Sequence, residues 1–334
     1  MSKNKLHTRT IILQNLNAIK NIAFQEHVAE GLRANPKYLS SRYFYDEIGD
    51  ALFQKIMAMP EYYLTNSEME IFTEQASKII EAFGMNRDED FELVELGAGD
   101  GTKTIKLLTE LQRQHYNFEY LPVDISQNAL TQLESSLSNQ LPNLRISTKQ
   151  GEYFKVLKDL LTSEKPKVVL FIGSNLGNFS DEMANDFMRS LSSYLKKNDK
   201  VLLGLDLIKS EDIVLPAYND AAGITRDFNL NLLTRINREL GGDFKVENFS
   251  HQPEYSEKTG ITKSFIKSDI AQTVTIGSVN RSFDFAKDEL IHTEVSRKYN
   301  DEILSKVLND TNLSVDQKFT DRKGYFTDFL LNVS

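Results

Sequence analysis

Val94-Glu95-Leu96-Gly97-Ala98-Gly99-Asp100-Gly101-Thr102-Lys103-Thr104 is the stretch on which the fold turns. Apolar residues from Phe91 to Leu96 run into three alternating glycines, and an amphipathic segment, Thr104 to Leu111, follows. The order reads as buried strand, tight loop and helix. Glycine puts no Cβ between the backbone and a ligand. The first turn of the helix offers unpaired N–H groups to a polar or anionic partner. Loops of this kind hold nucleotide-like cofactors in doubly wound α/β folds.

Working outward, strand and helix patterns alternate. Tyr120 to Val123 is a second apolar run, closed by Asp124, and Ser126 to Leu137 has helical spacing. Leu144 to Lys149 is a weaker strand, Lys167 to Ile172 a strong one, Asp181 to Leu195 a helix, and Lys200 to Leu207 another buried strand. Repeated β-then-α order predicts a parallel sheet with right-handed crossovers. Upstream, Leu16 to Leu32 reads as a helix and Ser40 to Tyr63 is dense in aromatics. Asn66 or Ser67 is placed to cap a helix from Glu68 to Phe83. After Asp206 the rhythm changes: Ala217 to Leu240 reads as one long helix ended by Gly241-Gly242, and Phe244 to Phe285 and Leu290 to Ser296 are β-like. Lys318 to Asn332 reads as a last strand. Two domains are expected, a cofactor domain from residues 66–208 and 286–334 and a substrate-binding domain from 1–65 and 209–285.

The bulk numbers narrow the classes. A chain of 334 residues with 40% hydrophobic and 26% charged residues is ordinary for a soluble protein. A formal charge of −9 argues against nucleic acid, which calls for a basic face. There are no cysteines, so disulfides, thiolate metal sites and cysteine nucleophiles are excluded. The five histidines show no metal-ligand spacing and read as surface or satisfied core residues, and no metal is expected. With no signal-peptide h-region and no apolar run of membrane length, a cytoplasmic protein that contacts no membrane is expected. It is read as a monomer acting on a small amino-acid substrate.

Several residues stand where chemistry is expected. Asp124 lies at the end of the second strand, where an acid accepts hydrogen bonds from ribose hydroxyls; its plain alternative is a helix cap. The spacing of Gly97, Gly99 and Gly101 departs from G-x-G-x-x-G, which favours S-adenosylmethionine over a nicotinamide dinucleotide. Gly151-Glu152-Tyr153 follows the third strand, where an adenine would meet an acid and an aromatic ring. Asn178 closes Gly173 to Asn178 after the fourth strand, and an amide suits both the ammonium and the carboxylate of an amino acid. Glu294 and Ser296 alternate on one strand, so they share a side. A carboxylate beside a hydroxyl suits an imidazole, and a solvated strand face has the same periodicity.

Several stretches together resemble the S-adenosylmethionine-dependent histidine Nα-methyltransferases of ergothioneine biosynthesis. They are Arg42-Tyr43-Phe44-Tyr45-Asp46, Pro60-Glu61-Tyr62-Tyr63-Leu64-Thr65, the glycine loop with Lys103-Thr104, Pro122-Val123-Asp124 and Ile172 to Asn178. Leu203-Gly204-Leu205-Asp206, Ala217-Tyr218-Asn219-Asp220 through Thr225, Phe228-Asn229 to Leu240 and Thr293-Glu294-Val295-Ser296-Arg297-Lys298-Tyr299 complete the set. The resemblance implies a Rossmann-like class I methyltransferase domain of the α/β class, with a parallel-rich sheet, and a second α+β substrate-binding domain. It implies cofactor contacts for Gly97, Gly99, Lys103, Asp124, Glu152 and Tyr153. It places Tyr62, Asn178 and Tyr218 on the amino and carboxylate groups of the acceptor, Glu294 and Ser296 on an imidazole, and Tyr45 beside the reacting amine as the catalytic candidate. One position departs: the family's Met-x-Leu methionine against the substrate side chain falls on Ser264, in a smaller and more polar wall.

The expected reaction is methyl transfer from S-adenosylmethionine to the α-amine of histidine, up to the trimethylated betaine. A different amino acid is the nearest alternative. A non-catalytic binder of the same cofactor stands further off.

Overall fold

The computed structural model describes residues 22–151, 153–160 and 163–334. By compactness the chain divides into two units. One, here the sheet unit, is built from Tyr63–Ser210, Glu257–Ile261 and Ser296–Ser334. The other, the companion unit, takes 22–62, Glu211–Ser256 and Thr262–Val295 of the described chain.

In chain order the companion unit opens with helices α1 (22–33) and α2 (Glu47–Met57). Helix α3 (Tyr63–Phe83) begins the sheet unit, followed by β1 (Phe91–Leu96), α4 (Thr104–Arg113), β2 (Phe118–Asp124), α5 (Gln127–Gln140), β3 (Lys149–Gln150) and α6 (Tyr153–Leu160). Next come β4 (Lys167–Phe171), α7 (Asp181–Ser193) and β5 (Lys200–Asp206). The companion unit resumes with α8 (Glu211–Val214), α9 (Ile224–Leu240), β6 (Phe249–Ser256), β7 (Ile261–Ser268), β8 (Gln272–Ile276), β9 (Arg281–Phe285) and β10 (Leu290–Arg297). Helix α10 (Asp301–Val307) and strands β11 (Leu313–Thr320) and β12 (Phe326–Val333) close the sheet unit.

Seven strands lie in the order β11-β12-β5-β4-β1-β2-β3. β1 pairs in parallel with β2 and with β4, β4 with β5, and β2 with β3; β12 runs antiparallel to both β5 and β11. This is a Rossmann-like sheet. The order reverses at β1, so the loops after β1 and β4 flank the switch point where such sheets bind ligands. The strands are apolar on both faces because both are covered. In β1, Phe91 and Leu93 enter a core with Ile71, Phe72, Ile79 and Leu107, while Val94 and Leu96 enter a second with Phe171, Phe187 and Leu191.

The companion unit is α+β. Its core joins Phe24, Val28 and Leu32 of α1, Phe228, Leu232 and Ile236 of α9, and Ile266, Val274, Phe283 and Ile291 of the strands. Strands β10-β7-β6 form one sheet and β8-β9 a hairpin. Gly241 ends α9 in the left-handed region, as the sequence predicts.

Four expectations are corrected. Helix α3 starts at Tyr63, before the expected caps, because Ser67 and Glu68 point inward and are buried, unable to turn back to the helix start. The helix expected from Ala217 is broken, with Leu215–Ala217 a 3-10 turn and α9 starting at Ile224, where Asp220 accepts from the N–H groups of Ile224 and Thr225 at 2.8 Å each. The expected last strand is a hairpin of β11 and β12, turned at Asp321, whose carboxylate accepts from the N–H groups of Tyr325 and Phe326. The Leu144–Lys149 strand shrinks to a bridge at Ile146 and the short β3. No helix among the described residues is long and apolar enough to cross a membrane.

Candidate active site

The glycine loop leaves β1 at the switch point. Gly97 has φ +78°, and a Cβ there would lie 2.7 Å from the Tyr153 hydroxyl and 3.0 Å from Asn175 Nδ2, so only glycine fits that crowded turn. Gly99, at φ +54°, faces open space: nothing stands within 4 Å of the Cβ it lacks. Asp124 closes the arrangement from the end of β2. Its Oδ2 accepts the Gly99 N–H at 3.3 Å and its Oδ1 the Ser126 N–H at 2.8 Å. Each oxygen keeps a lone pair, so Asp124 anchors the loop and can still receive two hydroxyl donors. The helix-cap alternative falls to its neighbour: Ser126 caps α5 by accepting from Ala129. An open cradle beside a half-buried, hydroxyl-accepting carboxylate fits the ribose end of S-adenosylmethionine.

Tyr153 opens α6 and packs edge-on against Phe171 and Phe187. Burial, with the nearby Asp124 charge, pushes its phenol pKa up, so it stays a neutral ring at any physiological pH. Glu152 lies outside the described residues. Lys103, at the foot of α4, is partly exposed, and its ammonium is ion-paired with the wholly buried Glu68. The Gly173 turn sits beside it: a Cβ on Gly173 would come 3.5 Å from Lys103 Nζ. Sequence patterning missed Glu68, because an acid in a helix's first turn reads as an ordinary dipole partner.

Asn178 ends a 3-10 turn (Asn175–Asn178) after β4 and is exposed. Ser296, near the end of β10, is buried and accepts from Lys298 Nζ at 2.9 Å. That lysine is itself wholly buried and held by Asp206 at 2.7 Å. Asp206 also takes Lys209 Nζ at 2.5 Å and the Tyr63 hydroxyl at 2.8 Å. Asp206, Lys298 and Lys209 are a second group that patterning did not pick out.

The remaining candidates lie in the companion unit. Tyr45 and Tyr62 belong to one aromatic cluster, joined through Phe53 at ring distances of 5.5 and 6.4 Å, with Phe228 at 5.7 Å from Tyr45. Tyr45 is 41% exposed. Tyr218 is buried after the Leu215–Ala217 turn. Ser264 is 1% exposed on the inward face of β7, and its Oγ has no hydrogen-bond partner. Glu294 is half-buried on β10. Of the histidines expected to be satisfied, His251 and His292 instead leave a buried Nε2 without a partner. No His, Asp or Glu group suited to a metal occurs among the described residues.

An open glycine turn at the switch point of this sheet, closed by an acid after β2, is a nucleotide-cofactor site of the doubly wound class. The chain belongs to the S-adenosylmethionine-dependent, histidine-specific methyltransferase family, whose model matches residues 24–333. It is 32% identical to the histidine N-alpha-methyltransferase of Mycolicibacterium smegmatis, over 91% of this chain and 93% of that one. It is 28% identical to the L-tryptophan methyltransferase trpM of Psilocybe serbica, over 90% of each. Among solved structures it is similar to an S-adenosylmethionine-dependent methyltransferase from Clostridium acetobutylicum, with a TM-score of 0.40, 13% identity, and 78% and 92% of the two chains covered.

Proposed function

We propose that the chain methylates the α-amine of histidine and continues to the trimethylated betaine. The family match over residues 24–333 carries the reading, and the open turn at Gly99 beside Asp124 supports the donor site. Bound there, S-adenosylmethionine supplies a sulfonium methyl open to attack by an amine. Gly97, Gly99, Lys103, Asp124, Glu152 and Tyr153 are the residues proposed to hold it. Asn178, Tyr62 and Tyr218 are proposed to hold the acceptor's ammonium and carboxylate, and Glu294 and Ser296 its imidazole.

The attacking amine must be neutral, since an ammonium has no lone pair. A peptide α-amino group titrates near ~8 and that of a free amino acid higher, so the amine must give up its proton on the enzyme. Orientation then supplies much of the rate. Tyr45, Phe53, Tyr62 and Phe228 form an aromatic cluster whose ring faces suit a growing cation. Protein, S-adenosylmethionine and histidine incubated together should yield mass gains of one, then two, then three methyl groups. An unchanged histidine mass in active, donor-binding protein would remove histidine as the acceptor.

A second acceptor has its own support. Ser264 stands where the family's methionine is expected, and one relative is named for tryptophan. An amino-acid panel including tryptophan, tyrosine and phenylalanine separates the two, with the higher kcat/KM deciding.

A further inference from the structure

Glu68 lies in α3 with no exposed surface. Its Oε1 accepts the Gly173 N–H at 2.8 Å and its Oε2 is paired with Lys103 Nζ. Gly204 of β5 stands against it. A Cβ on that residue would lie 2.3 Å from Glu68 Oε1 and 2.9 Å from Asp328 Oδ1. Two carboxyl groups, from α3 and β12, therefore crowd one missing side chain. Asp328 is wholly buried, and no donor reaches either of its oxygens. A buried carboxylate without a donor is too costly to persist as an anion. A proton on Asp328, turned toward Glu68, satisfies both groups and leaves Glu68 with the charge that Lys103 meets.

We propose that Glu68 and Asp328 are positioning residues of the donor site: an acid pair sharing one proton, which fixes the Lys103 ammonium and the Gly173 N–H beside the glycine turn. The proposal rests on the reading of Lys103 as a donor contact. S-adenosylmethionine carries one carboxylate, on its amino-acid end, and that is the group an ammonium matches. Held from behind, Lys103 presents its charge from one place instead of searching. The electrostatics agree. Burial, then the Glu68 charge, pushes the Asp328 pKa well above the usual range, with Lys103 opposing. Burial works against the Lys103 ammonium, but the Glu68 charge and hydrogen bond, with Glu95 beyond, outweigh it and hold its pKa up. Glu95, the other acid facing this lysine, is pushed to about 7 by burial, against hydrogen bonds from Tyr120 and Thr104.

The test is calorimetric binding of S-adenosylhomocysteine and of 5′-methylthioadenosine, which lacks the amino-acid end. Glu68→Gln and Lys103→Met should each weaken S-adenosylhomocysteine about tenfold and leave 5′-methylthioadenosine within about twofold. Asp328→Asn keeps an N–H facing Glu68 and should stay within about threefold for both ligands. In turnover, Glu68→Gln should raise the donor KM and spare kcat at saturation. Glu68→Gln binding both ligands as wild type does, or losing both equally, overturns the proposal. Asp328→Asn losing as much as Glu68→Gln also overturns it. Infrared spectra give a check free of ligand and of the harsher variants: a carboxylic-acid C=O band present in wild type and removed by Asp328→Asn, its absence from wild type being fatal. If Lys103→Met alone is silent, the donor-contact reading of that lysine fails; if wild type binds neither ligand, the loop assignment fails.

Discussion

The two units bury polarity in different ways. The sheet unit encloses ionisable groups: Glu68, Glu92, Glu95, Lys167, Asp206, Lys298 and Asp328 all lie inside it. Most are matched, as Asp206 is by two lysines and a tyrosine. The companion unit encloses mainly neutral groups, among them Thr225, Asn229, Thr262, Ser264 and Thr293. Several of its atoms have no partner, including Ser264 Oγ, Thr262 Oγ1 and His251 Nε2. Where the charges are matched, as around Asp206, the arrangement is stiff, because removing one group strands another. Orphaned hydroxyls impose little and can be exchanged cheaply. Chemistry held constant is expected in the first setting and variable selectivity in the second.

Breaking the contrast from its strongest side, Asp206→Asn leaves Lys298 and Lys209 buried without their counter-charge. Denaturant melts should show a loss of about 3–5 kcal/mol, and a loss below about 1 would mean the arrangement is not matched as drawn. Next, Asp124→Ala removes the acid that closes the glycine turn and is proposed to receive the ribose. Calorimetry should show S-adenosylhomocysteine binding weakened by about ten- to a hundredfold, with the fold intact by circular dichroism.

Titration sharpens the contrast further, because the units should respond with opposite sign. Burial pushes His251 down to about 4, with Asp220 opposing, so the unfolded chain takes up its proton first as pH falls. Its contribution is present above about 6.5 and is lost between there and about 4, worth up to about 3 kcal/mol. Glu95 is raised to about 7, so its contribution is present below about 4.5 and is lost as pH rises through about 7. Amide exchange followed by residue should show the companion unit loosening on acidification and the β1 neighbourhood loosening toward neutrality, with Glu95→Gln abolishing the second trend. The smallest effect is expected at Ser264→Ala, which removes a hydroxyl that bonds to nothing. Stability should change by no more than about 0.5 kcal/mol in thermal melts, while preference across the amino-acid panel shifts toward apolar side chains.

The sheet unit was the more legible half. Parallel strands covered on both faces are nearly unbroken apolar runs, and the glycine turn announces the loop after β1. The capping signal at Asn66 and Ser67 misled because burial, not capping, decides where Ser67 and Glu68 point. Asp220 with Gly223, and Asp321 with Gly324, carried turn chemistry that lay inside runs read as continuous. At the site, Gly97, Gly99, Asp124 and Tyr153 are neighbours whose adjacency follows from sheet order alone. Glu68, Asp328 and Lys298 were illegible for a different reason: a buried charge becomes meaningful only through a partner far away in sequence, and periodicity carries no such information.

The interleaving of the chain has a consequence for biogenesis. Helices α1 and α2 leave the ribosome well before residues 211–256 and 262–295, with which they share a core. Until those segments are translated, Phe24, Val28, Leu32 and Ile56 have no permanent home. A nascent intermediate with that greasy surface uncovered is a natural client for a chaperone, and splitting the gene at residue 62 should yield two insoluble products.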